Sequence, residues 1–420
     1  MTTTADPAQS DQLIRGYKFN WVDTFLTVVR VVALFVLAWG LIGALGLGLA
    51  GEGLGWSAIQ DLIVAGVAQG SMYGLLALGY SMVYGILGFI NFAHGEVFMS
   101  GAMVGFFVAN AFFDSGLWES NFILAILIVT GVAIATSTLT AVIIERVAYR
   151  PLRNAPRLIP LITSIGISFF IQYAYFGLFG PAVRTYPPMP EWLSDDVSIL
   201  GFDIQGTKLL VIVIGLVSMV GLWLFVERTK VGRAMRAVAE DKEIAALMGI
   251  DVDRTIVVTF AVGGAMAGIA AILWAMLFRG VWFLVGFLPG IKAFTAAVLG
   301  GIGNIVGAML GGLTLGLFEA LGPNIVLRGL AYRIPYGLGL ALALAGLAVM
   351  AWAAINRRYT ITALGGVSLL LGIAGIAGWS MTISSLTQLK DVVAFSALVL
   401  VLIFKPTGLL GEQLSETDRT

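Results

Sequence analysis

Cysteine is absent from the 420 residues, and histidine occurs once, at His94. Disulfides and thiolate metal sites are therefore excluded, as are haem pairs and metal centres built from several histidines. Charge is scarce as well: Asp, Glu, Lys and Arg make up 11% of the chain, and 24 basic residues offset 24 acidic ones. Zero net charge gives no electrostatic ground for a nucleic-acid partner. The chain also lacks a G-x-S-x-G elbow, an H-E-x-x-H pair, a Walker A loop and any carboxylate pair at a defined spacing. No catalytic constellation is recognisable.

What the chain has is apolar surface. A hydrophobic content of 59% and a mean hydropathy of +0.96 lie far outside the range of a soluble domain. The fold class this implies is all-α, a polytopic membrane helix bundle, because every backbone polar group in hydrocarbon must be satisfied internally. The 53 glycines fit helices that approach closely through small residues. Residues 1–24 are polar, and the apolar run after them is too long for the core of a signal peptide.

Apolar runs of membrane length fall at 25–50, 62–87, 97–113, 122–144, 158–179, 208–226 and 256–278. Two more lie within 286–321, broken around 300–304, and the last three at 334–354, 361–379 and 392–404. That makes about twelve transmembrane segments. With Arg15 and Lys18 inside, alternation places Arg146, Arg150, Arg153, Arg157, Arg228, Lys242, Arg357, Arg358 and Lys405 on the cytoplasmic side. It places the acidic stretches 114–119 and 191–203 outside. Arg279, Arg328 and Arg333 fall outside, against the rule.

The longest polar interruption, ERTKVGRAMRAVAEDKEIAALMGIDVDR (227–254), lies on that cytoplasmic side and holds a short punctuated helix. Asp241 is a good N-cap, Glu243 sits in the first turn, and Gly249 suits the left-handed position after the last turn. Ile244, Leu247 and Met248 share one face, and Ile250 closes over the end. Two turns of helix are unstable alone in water. The oily face therefore rests either on the chain's own membrane helices or on a separate cytoplasmic protein.

Two stretches place polar groups at membrane depth. In GYSMVYGILGFINFAHGEVFMSGAMVG (79–105), Asn91, His94 and Glu96 stand among Gly88, Gly95 and Gly101. This is either a broken segment lining a route or a turn in which Asn91 and Glu96 cap helix ends. In LPGIKAFTAAVLGGIGNIVGAMLGG (288–312), Lys292, Thr295 and Asn304 accompany Gly300, Gly301 and Gly303, glycines that permit unwinding or close packing. Lys292 must snorkel, meet Glu319 or another acid, or face water. GFINFAHGE and GFLPGIKAF are loosely alike, each an apolar run interrupted by glycine, but the likeness falls short of an inverted repeat.

Five blocks carry a family resemblance: GLLALGYSMVYGILGFINFAHGEVFMSGAM, ERVAYRPLRNAPRLIPLITSIGIS, GRAMRAVAEDKEIAALMGIDVDRTI, LPGIKAFTAAVLGGIGNIVGAMLGG and FKPTGLLG. In order and content they resemble the LivH-type permeases, membrane subunits of ABC importers for branched-chain amino acids and related small amides, including urea. The resemblance implies a cytoplasmic coupling helix that fits a cleft on an ATPase, with Gly232, Arg233, Glu240, Asp241, Glu243, Ala245, Ala246, Leu247 and Gly249 in the coupling segment. It implies a translocation path near Asn91, His94, Gly95, Glu96, Lys292, Thr295, Gly301 and Asn304. It implies no catalytic residue, no metal and no cofactor bound by this chain, since partner subunits hydrolyse the ATP. The implied partners are a second homologous permease, two cytoplasmic ATPases, an extracytoplasmic binding protein and membrane lipid. The implied location is a bacterial cytoplasmic membrane, with both termini cytoplasmic.

Against that family pattern, residues 25–54 form an extra N-terminal helix and 323–389 an inserted pair of helices. They flank a permease core at 55–322, with a polar tail at 1–24 and a last helix and cytoplasmic tail at 390–420. A urea or short-amide importer is the nearest alternative. An ion-gradient secondary transporter requires paired intramembrane acids or a proton relay, for which only His94, Glu96 and Lys292 are available.

Overall fold

The computed structural model describes residues 21–405, apart from 154, 157, 200, 356–358 and 381–388, together with 407–411. The expectations for Arg15, Lys18 and the rest of the tail through residue 20 lie outside the described residues. So do those for Arg157, Arg357, Arg358 and the stretch after residue 411.

Every apolar run of the sequence is helical. In chain order the helices are α1 (Trp21–Leu49), α2 (Trp56–Leu87), α3 (His94–Asp114), α4 (Leu117–Ser120), α5 (Phe122–Ile144), α6 (Leu158–Phe179), α7 (Glu191–Ser194) and α8 (Gly206–Arg228). They continue with α9 (Lys230–Glu240), α10 (Lys242–Leu247), α11 (Val252–Phe278), α12 (Phe287–Gly300), α13 (Ile305–Gly322), α14 (Tyr336–Ile355), α15 (Tyr359–Ile376) and α16 (Lys390–Phe404). Four short strands join them: β1 (Arg184–Thr185), β2 (Asp196–Ile199), β3 (Phe202–Gln205) and β4 (Gly280–Val281).

Among the described residues, nine helices are long and apolar enough to cross a membrane, fewer than the twelve crossings expected. The three remaining expected crossings fall on α12, α15 and α16, of which α12 is the shortest. Its 14 residues rise only about 21 Å, against about 30 Å of hydrocarbon. The chain before it, from Trp282 to Gly286, enters as irregular backbone.

The chain divides into two compact units. One consists of Met1–Gly53 and Ile325–Ser384. In it α1 packs on the stretch after residue 325: a Cβ on Gly329 would overlap the Gly40 carbonyl, and Gly43 lies against Gly329. Trp39 is buried there, its indole N–H donating to the Tyr332 carbonyl at 3.3 Å. Helices α14 and α15 meet through Gly346 against Gly365 and Gly372 against Ala343. The N-terminal helix and residues 325–384 thus share one core, although the intervening sequence belongs to the other unit.

The second unit, Leu54–Asn324 and Ser385–Thr420, is built around α2. Gly66 and Gly70 let its backbone lie against Leu317 and Leu313 of α13, running antiparallel, and Gly74 faces Met219 of α8. Helix α5 packs on α11 through Gly264 and Gly268, and its Ser137 hydroxyl donates to the Val97 carbonyl of α3 at 2.9 Å.

The polar segments of this unit sort to its two ends. At one end Arg150 and Arg153 pair with Asp253 at the start of α11, and α9 and α10 lie beyond α8. There too residues 407–411 stitch onto the α12 end, with Leu409 and Leu410 N–H groups donating to the Leu299 and Gly300 carbonyls at 2.7 and 2.9 Å. At the other end β1 pairs with β4, and β2 with β3, each antiparallel. Trp118 donates to the Pro188 carbonyl at 2.9 Å, and Arg279, in the left-handed region at φ 60°, donates to the Tyr186 carbonyl at 2.9 Å. The Tyr186 hydroxyl donates to Ala102 O at 2.6 Å, and burial pushes its phenol well above the ordinary value. Arg279 sits with the acidic connections, as the topology requires.

The α2–α13 contact leaves no room for side chains, since a Cβ on Gly316 would overlap the Gly66 carbonyl. Gly316→Val is expected to destabilise the second unit by ~1–3 kcal/mol or more, read as a lower thermal midpoint in detergent. Gly131→Val, whose Cβ meets open space, is expected to leave that midpoint unchanged.

Candidate functional site

The short helix α10 is held by its ends. The Asp241 carboxylate accepts from the Glu243 and Ile244 N–H groups at 2.8 and 2.9 Å. At the other end Ile250 N–H donates to Ala245 O and Gly249 N–H to Ala246 O, both at 3.0 Å, with Gly249 at φ +80°. This is a Schellman closure, which satisfies carbonyls that a helix end otherwise leaves bare. Ala245 is buried and Ile250 tucks onto the core. These contacts fix six residues that propensity alone would not.

The opposite face has no cover among the described residues. Ile244, Leu247 and Met248 are 59%, 87% and 78% exposed. Of the two supports open to the oily face, the chain's own described helices do not provide one. Burying each such side chain is worth about 1.5–3 kcal/mol, so this small bump offers substantial contact energy to whatever covers it.

Helix α9 joins α10 to the bundle. Thr229 caps it by accepting from Gly232 N–H at 3.0 Å, and a Cβ on Gly232 would overlap the Val226 carbonyl, which fixes a tight corner with α8. Arg236 pairs with Glu227, while Arg233 and Glu240 are exposed. A small cavity beneath α9 is lined by Met235, Arg236, Ser81 of α2 and Gly303 of the α12–α13 break. Ser81 Oγ accepts from Gly303 N–H at 3.1 Å.

Inside the bundle the two interrupted stretches of the sequence meet. A Cβ on Gly286 would overlap the Gly95 carbonyl, and one on Gly290 would lie 3.0 Å from Gly95 Cα. The starts of α3 and α12 thus cross backbone to backbone. Beside this crossing is a cavity of about 220 Å³ lined by Tyr80, Phe92, Glu96, Ser168, Phe169 and Phe287, among others. Glu96 is buried, its Oε1 accepting from Gln172 Nε2 at 2.6 Å and Ser168 Oγ at 3.2 Å. Asn91 serves as a turn cap, its Oδ1 accepting from Ala93 N–H at 3.1 Å and from the Tyr149 hydroxyl at 2.6 Å. His94 is buried against Gly79 and edge-on to Tyr80, with ring centroids 4.9 Å apart.

Lys292 takes the acid-partner option. Its ammonium lies 2.9 Å from Glu319 Oε1 and 2.6 Å from Asp391 Oδ1, while Lys390 approaches Glu319 at 3.4 Å. Two cations and two anions make a neutral cluster tying α12, α13 and α16 together, with Tyr73 of α2 alongside. The remaining path candidates have local duties. The Thr295 hydroxyl donates to Ile291 O at 2.8 Å. Asn304 caps α13 and donates to Leu410 O at 3.0 Å, and Gly301 lies against Gly411. The structure therefore joins Gly95 and Glu96 in one cavity and leaves Thr295, Gly301 and Asn304 outside its lining.

Sequence reasoning missed Ser168, Gln172, Lys390 and Asp391. A signal existed: Ser164, Ser168 and Gln172 recur every fourth residue along an otherwise apolar α6, a polar stripe of the kind that faces a partner or a cavity.

The branched-chain amino acid transport system permease component family matches residues 62–333. The high-affinity branched-chain amino acid transport system permease protein BraD of Pseudomonas aeruginosa is 38% identical over 351 residues, covering 83% of this chain and 94% of that protein. The corresponding LivH protein of Escherichia coli K12 is 36% identical over 348 residues, 82% of this chain and 93% of that protein. A probable LivH protein of Methanocaldococcus jannaschii is 29% identical over 268 residues, with 62% and 81% covered. No solved structure matches the chain.

A multi-pass helical bundle with membrane-length apolar helices and a mostly apolar interior cavity is, in class, an integral-membrane protein. The chain belongs to the LivH-type branched-chain amino acid transport permeases of ABC systems. Helix α1 precedes the matched residues.

Removing one member of the buried charge cluster leaves an uncompensated charge in a low-dielectric interior. Lys292→Met is expected to cost ~3–5 kcal/mol, and adding Glu319→Gln, which restores neutrality, to recover part of it. Thermal unfolding of the two variants in detergent checks the order.

Proposed function

We propose that this chain is one permease of an ATP-driven importer of branched-chain amino acids in a bacterial cytoplasmic membrane. A second, homologous permease completes the pore, and two cytoplasmic ATPases sit beneath it. An extracytoplasmic binding protein delivers the solute. The chain itself binds no nucleotide or other cofactor, and both termini face the cytosol.

The observation that carries this reading is the uncovered face of α10, with Ile244, Leu247 and Met248 bare at the end where the basic segments gather. Excess Lys and Arg marks the cytoplasmic side of membrane proteins, so the bump is presented where an ATPase would be. The names of the relatives support the amino-acid substrate. Urea and short amides are the neighbouring substrate class, and competition by urea for leucine uptake would favour them. In mechanism, closure of the ATPase pair displaces α10. The displacement passes through α9 to Ser81 and the α12–α13 break, which its cavity adjoins.

Leu247→Asp and Gly249→Val are each expected to lower ATP-driven leucine uptake at least tenfold while leaving membrane insertion intact. The check is uptake into proteoliposomes with ATP inside and the binding protein outside, with co-purification of the ATPase as a second readout. Uptake energised by an ion gradient alone, without ATP, would overturn the importer reading in favour of a secondary transporter.

A further inference from the structure

The Glu96 cavity holds a feature that helix packing does not account for. Glu96 is 1% exposed, and its Oε1 is fully engaged by Gln172 and Ser168. Its Oε2 is buried with no hydrogen-bond partner among the described residues. A bare buried carboxylate oxygen is costly unless something arrives to pair with it. The buried cation Lys292 is committed to Glu319 and Asp391. Glu96 lines the cavity together with Tyr80 and Ser168. Much of the remaining wall is aliphatic or aromatic, from Phe92, Ile165, Phe169, Phe287 and Ile291. The N-terminal turns of α3 and α12 reach the same cavity through Gly95 and Phe287, and helix starts favour a negative group.

We propose that Glu96 is the group that receives the ammonium of a zwitterionic aliphatic amino acid inside the permease, Oε2 accepting from it while the apolar wall takes the side chain. The inference rests on the amino-acid permease reading above and adds a recognition site within the pore. Such a site is small, mostly apolar and equipped with few convergent polar groups, as solute sites generally are. Gln172 and Ser168 act as positioning residues: by holding Oε1 they leave Oε2 free for the solute.

The test uses the complete importer in proteoliposomes, with wild type, Glu96→Gln and Glu96→Asp compared. Glu96→Gln is expected to lose at least tenfold in leucine uptake, whereas Gly131→Val, outside the cavity lining and facing open space, is expected to keep wild-type uptake. Glu96→Asp, which keeps the charge, is expected to retain measurable uptake. In parallel, 10 mM leucine is expected to raise the thermal midpoint of the solubilised wild-type permease pair, and 4-methylpentanoate, which lacks the ammonium, is not. Wild-type uptake by Glu96→Gln would overturn the inference, because a carboxyl with a merely structural role tolerates its amide isostere. Equal stabilisation by leucine and 4-methylpentanoate would overturn it too, even if Glu96→Gln fails to fold. Absence of ATP-driven leucine uptake by the wild-type assembly would instead sink the importer reading itself.

Discussion

Close backbone contact along α2 is the constraint on which the second unit depends. In lipid the solvent is as apolar as the helix surface, so helices are held by packing and by buried polar bonds. Gly66, Gly70 and Gly74 recur every fourth residue and bare one stripe of α2, and Gly312 and Gly316 do the same on α13. Once those stripes meet, α12 must double back beside α2, because it turns into α13 through only four residues, 301–304. That fixes the start of α12 against the start of α3 at Gly286 and Gly95. The interior cavity is thus a consequence of where glycines permit backbones to touch.

Charge inside this framework follows the same economy of space. Lys292, Glu319, Asp391 and Lys390 cancel one another, and the last two sit at the start of α16, remote in sequence from the helices they join. A buried ion pair adds little net stability over an apolar contact of the same shape, yet breaking one is severe. The cluster therefore acts mainly as a register device. It accepts one placement of α16 against α12 and α13 and penalises others.

Much of this was legible in the residues, and the rest was hidden for identifiable reasons. The caps of α10, Asp241 and Gly249, are local chemistry and announce themselves within nine residues. The break at 300–304 shows as glycine beside Asn304, and the polar interruption around Glu96 shows against apolar flanks. What no local pattern reveals is pairing at long range. Which acid meets Lys292, or which groups hold Glu96 Oε1, depends on helices 27 to 76 residues or more away. The shared core of α1 with residues 325–384 is hidden for the same reason, since each stretch reads only as an apolar run. The short length of α12, 14 residues, was hidden because hydropathy marks apolar length and cannot register where a segment enters as irregular backbone.

Helix α2 also gives the two candidate regions a direct physical link without a hinge between them. Tyr80 lines the Glu96 cavity, while its neighbour Ser81 lines the space beneath α9 and accepts from Gly303. Both belong to one continuous helix of 32 residues. A shift of α9 that moves Ser81 must move Tyr80, since a packed helix translates or rotates as a body and does not compress locally. Gly303 is drawn along by the same hydrogen bond, and with it the end of α12, whose start forms the facing wall of the cavity through Phe287 and Gly290. On the proposed reading, displacement of α10 from outside therefore reaches the solute site from two sides at once. That is the arrangement a gate needs if small motions at a docking surface are to open or close a cavity deep in the bundle.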